Sequence, residues 1–190
     1  SRAIASNPNH RQLPLFFIPL QRKFRGDNVM YITQAIKRSA QLYGDSLATI
    51  CRGRERTWSE VEARVAKFAG ALRQLGVEKG ERVAILSLNS DRYYEYFFAV
   101  PWAGGVFVPI NIRLAPPEVA FWLNDSGSKI LLIDEQFVPM LDELEGQLDS
   151  VRDVLYVGEG DAPDGLQNLE KLIEEADPLE DAMRGNDDLA

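Results

Sequence analysis

Four shortages narrow what this 190-residue chain can be. Cys51 is its only cysteine, so no internal disulfide can form and a reducing, cytoplasmic setting is expected. His10 is its only histidine, far from any periodic sequence, which excludes a histidine-rich metal site and an organised Ser-His-Asp or Cys-His set. Neither G-x-G-x-x-G nor G-x-x-x-x-G-K-[ST] occurs. No apolar run is long enough to span a bilayer; the longest near the N-terminus, Leu13–Leu20, contains Pro14 and Pro19. Residues 1–29 therefore read as a disordered or cloning-derived leader, with Met30 as a candidate initiator.

What is present is ordinary for a globular domain: 45% apolar and 26% charged residues. The net charge of -8 disfavours nucleic acid as a partner. The charge is uneven. Residues 139–190 hold three basic and 16 acidic side chains, which read as solvated surface, whereas the middle of the chain is almost neutral.

Periodicity divides residues 30–158 into an α/β unit. A helix is expected at 31–43, with Ile32, Ile36, Ser39 or Ala40, and Tyr43 on one face. Leu47–Cys51 and Arg54–Trp58 flank Arg52-Gly53 as a hairpin. Val61, Val65, Phe68, Leu72 and Leu75 mark a helix over 60–75, with Thr57 and Glu60, or Ser59 and Glu62, placed for a capping box. Apolar runs at 82–88, 106–110, 129–134 and 153–157 read as buried strands. Helices are expected between them: an aromatic one from Tyr93 ended or kinked by Pro101, one at 116–123, and one at 135–146. This alternation implies a parallel, Rossmann-like sheet with an added β-hairpin. Residues 159–190 read as an acidic connector with a short helix at 168–176. The aromatic stripe at 93–98 reads as core or subunit interface. No residue qualifies as catalytic or metal-ligating.

The ordered segments Thr57–Val61, Leu75–Ile85, Leu88–Ser90 and Phe98–Leu114 resemble the N-terminal part of the acyl-adenylate-forming (AMP-binding) superfamily. Phe98–Pro101, Asn111–Leu114 and Glu174–Pro178 place the resemblance nearest the fatty-acid-CoA ligases. The resemblance implies an N-terminal fragment of an ATP-dependent ligase, cut before its phosphate loop and inactive alone. The implied reaction joins a fatty acid, or another carboxylic acid, to the α-phosphate of ATP with magnesium, releasing pyrophosphate, and the thiol of CoA then takes the acyl group from the adenylate. No such group is expected to bind this fragment tightly. The resemblance also brings Asn111, Ile112 and Arg113 to the entry route of CoA. There a turn and a guanidinium could meet a phosphate or ribose; otherwise Asn111 shapes the turn and Arg113 makes a structural ion pair. The alternative is a stand-alone binding or dimerisation module, with the aromatic helix and the leader as contacts of a homodimer.

Overall fold

The computed structural model describes residues 31–185 and 188. The expected leader lies outside the described residues. The elements run α1 (Gln34–Tyr43), β1 (Leu47–Cys51), β2 (Arg54–Thr57), α2 (Trp58–Gln74), β3 (Arg82–Leu86), α3 (Asp91–Trp102), β4 (Val106–Pro109), α4 (Pro116–Ser126), β5 (Ile130–Ile133), α5 (Met140–Leu144), β6 (Asp153–Tyr156), β7 (Gln167–Asn168) and α6 (Leu169–Glu175).

Five parallel strands form one sheet in the order β4-β3-β5-β6-β7, and β1 and β2 make a separate antiparallel hairpin. Strands buried on both faces need apolar residues at every position, which is why the strand runs show little alternation. The two faces still separate by twos. Val83, Ile85, Ile130 and Leu132 pack with Ile36, Val61, Phe68, Leu72 and Tyr96. Ala84, Leu86, Leu131 and Ile133 pack with Val119, Leu123, Phe137 and Leu144. One face therefore carries α1, α2, α3 and α6, and the other α4 and α5.

Local chemistry sets the boundaries. Thr57 and Glu60 form the expected capping box, each side chain taking the other's backbone N–H. Ser90 accepts from Tyr93 N at 3.1 Å and opens α3. Gly76 follows α2 at φ +78°, a conformation that a Cβ disfavours.

Several expectations change. The α1 face is narrower, since Ile36 and Ala40 are buried while Ile32 and Tyr43 are exposed. The helix expected at 135–146 shrinks to Met140–Leu144. Pro139 lacks the N–H that a continuous helix needs, so 135–139 is built from tighter turns, with Met140 N donating to Phe137 O at 2.9 Å. Pro101 ends α3 only one residue later, at Trp102. β7 is two residues long and has no periodic signature.

The acidic C-terminal stretch is also less solvated than its composition suggests. The Asp181 side chain is almost fully buried; it accepts from Thr33 Oγ1 at 2.8 Å and pairs with Lys37. Leu179 N donates to Ala66 O at 2.9 Å, and Trp102 Nε1 donates to Leu179 O at 2.8 Å. Gly70 lets this segment approach α2, because a Cβ there would collide with the Asp177 carbonyl oxygen.

Candidate functional site at the strand ends

Open parallel sheets bind ligands beyond the carboxyl ends of their strands, above all where the strand order reverses. Here β3 is flanked by β4 and β5, so the reversal lies between β3 and β5.

Hydrogen bonds cross that mouth. Asp134, just past β5, is buried, and its Oδ2 accepts from Ser87 Oγ at 3.1 Å and from Leu88 N at 3.2 Å. Asp134 N in turn donates to Leu86 O at 3.1 Å. These bonds tie the loop after β3 to the loop after β5.

The hairpin is held beside the same loops by charge. Arg52, at its tip, lies 3.5 Å from Glu135 and 3.6 Å from Glu159. Arg54 donates both ways: to Asp91 with two bonds of 3.0 Å, and to Glu159 at 2.7 and 2.9 Å. Arg56 also pairs with Asp91. Arg64 of α2 grips Glu95 at 2.9 and 3.0 Å and reaches Glu170 at 3.0 Å. Arg92 links Glu170 at 2.7 Å to Glu159 at 2.9 Å. The paired planar groups give charge-assisted bonds of fixed geometry.

The carboxyl groups respond differently to this setting. Burial would raise Asp91, but hydrogen bonds from Arg54 and Arg56 outweigh it and hold the carboxyl well below its usual range. The Arg54 hydrogen bond, supported by Arg92, brings Glu159 down to about 2. Glu170 is also lowered, since Arg64 and Arg92 together outweigh burial. Glu95 is raised, because its burial exceeds what Arg64 returns.

The end of β4 is different. Ile110 N donates to Ile85 O at 2.9 Å, and then the chain turns outward. Asn111 Oδ1 accepts from Arg113 N at 3.0 Å, and Leu114 N donates to Asn111 O at 3.2 Å. Asn111 thus shapes the turn, as its short polar side chain allows. Asn111, Ile112 and Arg113 are all exposed. Among the described residues the Arg113 guanidinium has no ion pair or hydrogen bond, so the structural ion pair considered for it is absent. Glu118 closes the following helix start by accepting from Ala115 N at 2.8 Å.

The aromatic helix turns inward. Tyr96 is fully buried, and Tyr93, Phe97 and Phe98 pack against the same core. Tyr96 Oη donates to Val83 O and accepts from Val108 N, both at 2.7 Å, which binds α3 to β3 and β4. Among the described residues no group of three His, Cys, Asp or Glu could hold a metal ion, and no helix is long and apolar enough to cross a membrane.

The charged network escaped sequence reading. Its local signals were Arg54 and Arg56 on one face of β2, and Arg92 and Glu95 one turn apart on α3. The partners of Arg54 and Arg92, Glu159 and Glu170, lie 67 to 105 residues away.

Comparison with known proteins now bears on this geometry. The profile of the AMP-binding enzyme family matches residues 36–190. A long-chain-fatty-acid–CoA ligase of Thermus thermophilus is 37% identical over 158 residues, covering 80% of this chain and 29% of that protein. The anthranilate CoA ligase AuaEII, solved with anthranoyl-AMP, superposes with a TM-score of 0.79 at 27% identity, covering 86% of this chain and 32% of that one. The N-terminal domain of FACL13 from Mycobacterium tuberculosis gives a TM-score of 0.73 at 31% identity, over 84% of this chain and 40% of that one. The chain thus spans less than a third of the full length of the curated relatives it matches.

Proposed function

The chain belongs to the AMP-binding enzyme family, and from that premise we propose that it is the N-terminal portion of an ATP-dependent fatty-acid–CoA ligase. In this reading residues 30–158 form most of the α/β unit, and β7 and α6 of the following stretch complete its sheet and one helical face. Residues 159–190 lead on toward a phosphate loop in the longer chain. The whole enzyme would activate a fatty acid, or another carboxylic acid, as an acyl-adenylate and pass it to CoA, in the cytoplasm.

The residues present fit one of the implied groups. Neither glycine phosphate motif occurs in the chain, so no cradle for the phosphates of ATP is assigned to it, and catalysis by these 190 residues alone is not expected. CoA is better served. The open turn at Asn111–Arg113 carries the reading, because hydrogen bonds and ion pairs tie the neighbouring loops together while the Arg113 guanidinium is exposed and, among the described residues, unpaired. A guanidinium in that state can meet a phosphate of CoA by charge-assisted hydrogen bonds, and the Asn111 turn fixes the backbone from which it projects. When bound, CoA supplies the thiol that accepts the acyl group.

Arg113→Ala in the longer ligase tests the assignment. The Michaelis constant for CoA should rise roughly tenfold or more, as loss of one charge-assisted bond implies, while that for ATP stays level. Equal or negligible changes in both would remove Arg113 from the CoA site. Fatty-acid-dependent ATP–pyrophosphate exchange by the 190-residue chain alone would remove the expectation of inactivity.

A further inference from the structure

The turn after β4 is not locked by its own conformation. Among the described residues only Arg52 and Met183 are non-glycine residues with positive φ, so Ile112 and Arg113, in the middle of the turn, have ordinary backbone. Both are exposed, so packing does not fix them either. The two ends of the turn must hold it.

The strand end is secured by the sheet. Ile110 is buried, and its N–H donates to Ile85 O at 2.9 Å. The helix end is built differently. Pro116 and Pro117 open α4 with φ set by their rings and with no N–H to satisfy. Ala115 precedes a proline and is confined to extended backbone, with φ -73° and ψ 157°. Val119, Ala120 and Leu123 anchor the helix in the core, so rigidity runs back as far as Ala115.

Three consecutive amides then join that fixed point to Asn111. Arg113 N donates to Asn111 Oδ1 at 3.0 Å, and Leu114 N to Asn111 O at 3.2 Å. Alanine has no side-chain oxygen, so Ala115 cannot cap α4 as Ser90 caps α3. Its own N–H is taken from the other direction, by Glu118 Oε2 at 2.8 Å. Asn111 therefore holds two of the three amides and Glu118 the third.

We propose that Glu118 is a positioning residue for CoA: its carboxylate pins the Ala115 amide and so holds the turn from which Arg113 projects. This rests on reading Arg113 as the CoA contact. A guanidinium whose backbone is already placed loses less freedom on taking a phosphate. Glu118 and Ala115 are both exposed, so water can replace the carboxylate at the Ala115 amide and the fold should survive its loss. The loss should fall on the order of the turn.

Amide order parameters, read by NMR relaxation in the 190-residue chain, test this without CoA. At Arg113, Leu114 and Ala115 they should be about 0.85 in the parent and below about 0.6 in Glu118→Ala. Glu118→Gln should restore them, since its amide oxygen still accepts. Leu123, inside α4, should stay rigid throughout. No drop overturns the proposal, and so does a drop that includes Leu123, which marks a merely structural role. In the longer ligase, Glu118→Ala should raise the Michaelis constant for CoA roughly threefold to tenfold and leave that for ATP level. In an Arg113→Ala background it should add less than about twofold, because Glu118 acts through Arg113. Equal rises for both substrates, or an undiminished effect without Arg113, overturn the proposal. A CoA constant that answers Arg113→Ala but not Glu118→Ala overturns it too. If Arg113→Ala leaves that constant level while Glu118→Ala loosens the turn, the CoA reading falls and the hold of Glu118 on the turn stands.

Discussion

Asp91→Asn should reveal how much the charged network contributes to stability. The Asp91 carboxylate is almost fully buried and answers two guanidiniums, Arg54 and Arg56. Removing one partner of a buried pair typically costs about 3–5 kcal/mol, because the other charge is left uncompensated. Two features reduce that figure. Arg54 keeps Glu159, and its side chain is 30% exposed, so water shares the load. Asp91 also sits in the first turn of α3, where a negative charge adds about 0.3–1 kcal/mol against the helix dipole. A net loss of about 2–3 kcal/mol is expected. Urea titration followed by tryptophan fluorescence measures it, and a double-mutant cycle with Arg54→Met isolates the pair. The pH dependence has a definite sign. The native carboxyl titrates below its unfolded value of 3.8, so its contribution is complete above about pH 5 and fades as the pH falls further. Glu159 and Glu170, also lowered, act in the same direction, while Glu95, raised by burial, opposes them. A cost under about 0.5 kcal/mol, or a coupling near zero, would refute the reasoning.

Other outcomes follow from single contacts. Tyr96→Phe removes the hydroxyl between Val83 O and Val108 N and should cost about 1–3 kcal/mol in the same titration, by leaving buried backbone groups short of a partner. Gly70→Ala should destabilise by about 1–3 kcal/mol despite alanine's better helix propensity, since its methyl displaces the Asp177 carbonyl; a stabilised variant would contradict that packing. Leu123→Ala opens a hole under the α4 face and should cost about 2–5 kcal/mol, read as a lower melting temperature. Thr57→Ala loses the α2 cap and should cost about 1 kcal/mol.

Much of the fold was legible because its signals are local. The capping box, Gly76 and the apolar strand runs each lie within one stretch of chain, and the structure keeps them in place. Legibility failed where short segments take their form from distant partners. β7 exists because Leu155 and Tyr156 pair with Gln167 and Asn168. The acidity of residues 139–190 reads as solvent-facing on composition alone, yet Asp181, Glu159 and Glu170 turn to cations contributed by α1, α2, β2 and α3.

The candidate site divides in the same way. The amino-acid sequence determined the chemistry available: one cysteine, one histidine, no phosphate-binding glycine motif, and an Asn-Ile-Arg turn after an apolar strand. Hydrophobic period and turn residues act over a few positions, so they are written locally. Which strand ends close and which stays open was decided only by tertiary structure. Asp134 meets Ser87 across 47 residues, and Arg54 meets Glu159 across 105. Long-range pairing of charges depends on the packed sheet and helices that bring them together, and no spacing along the chain encodes it.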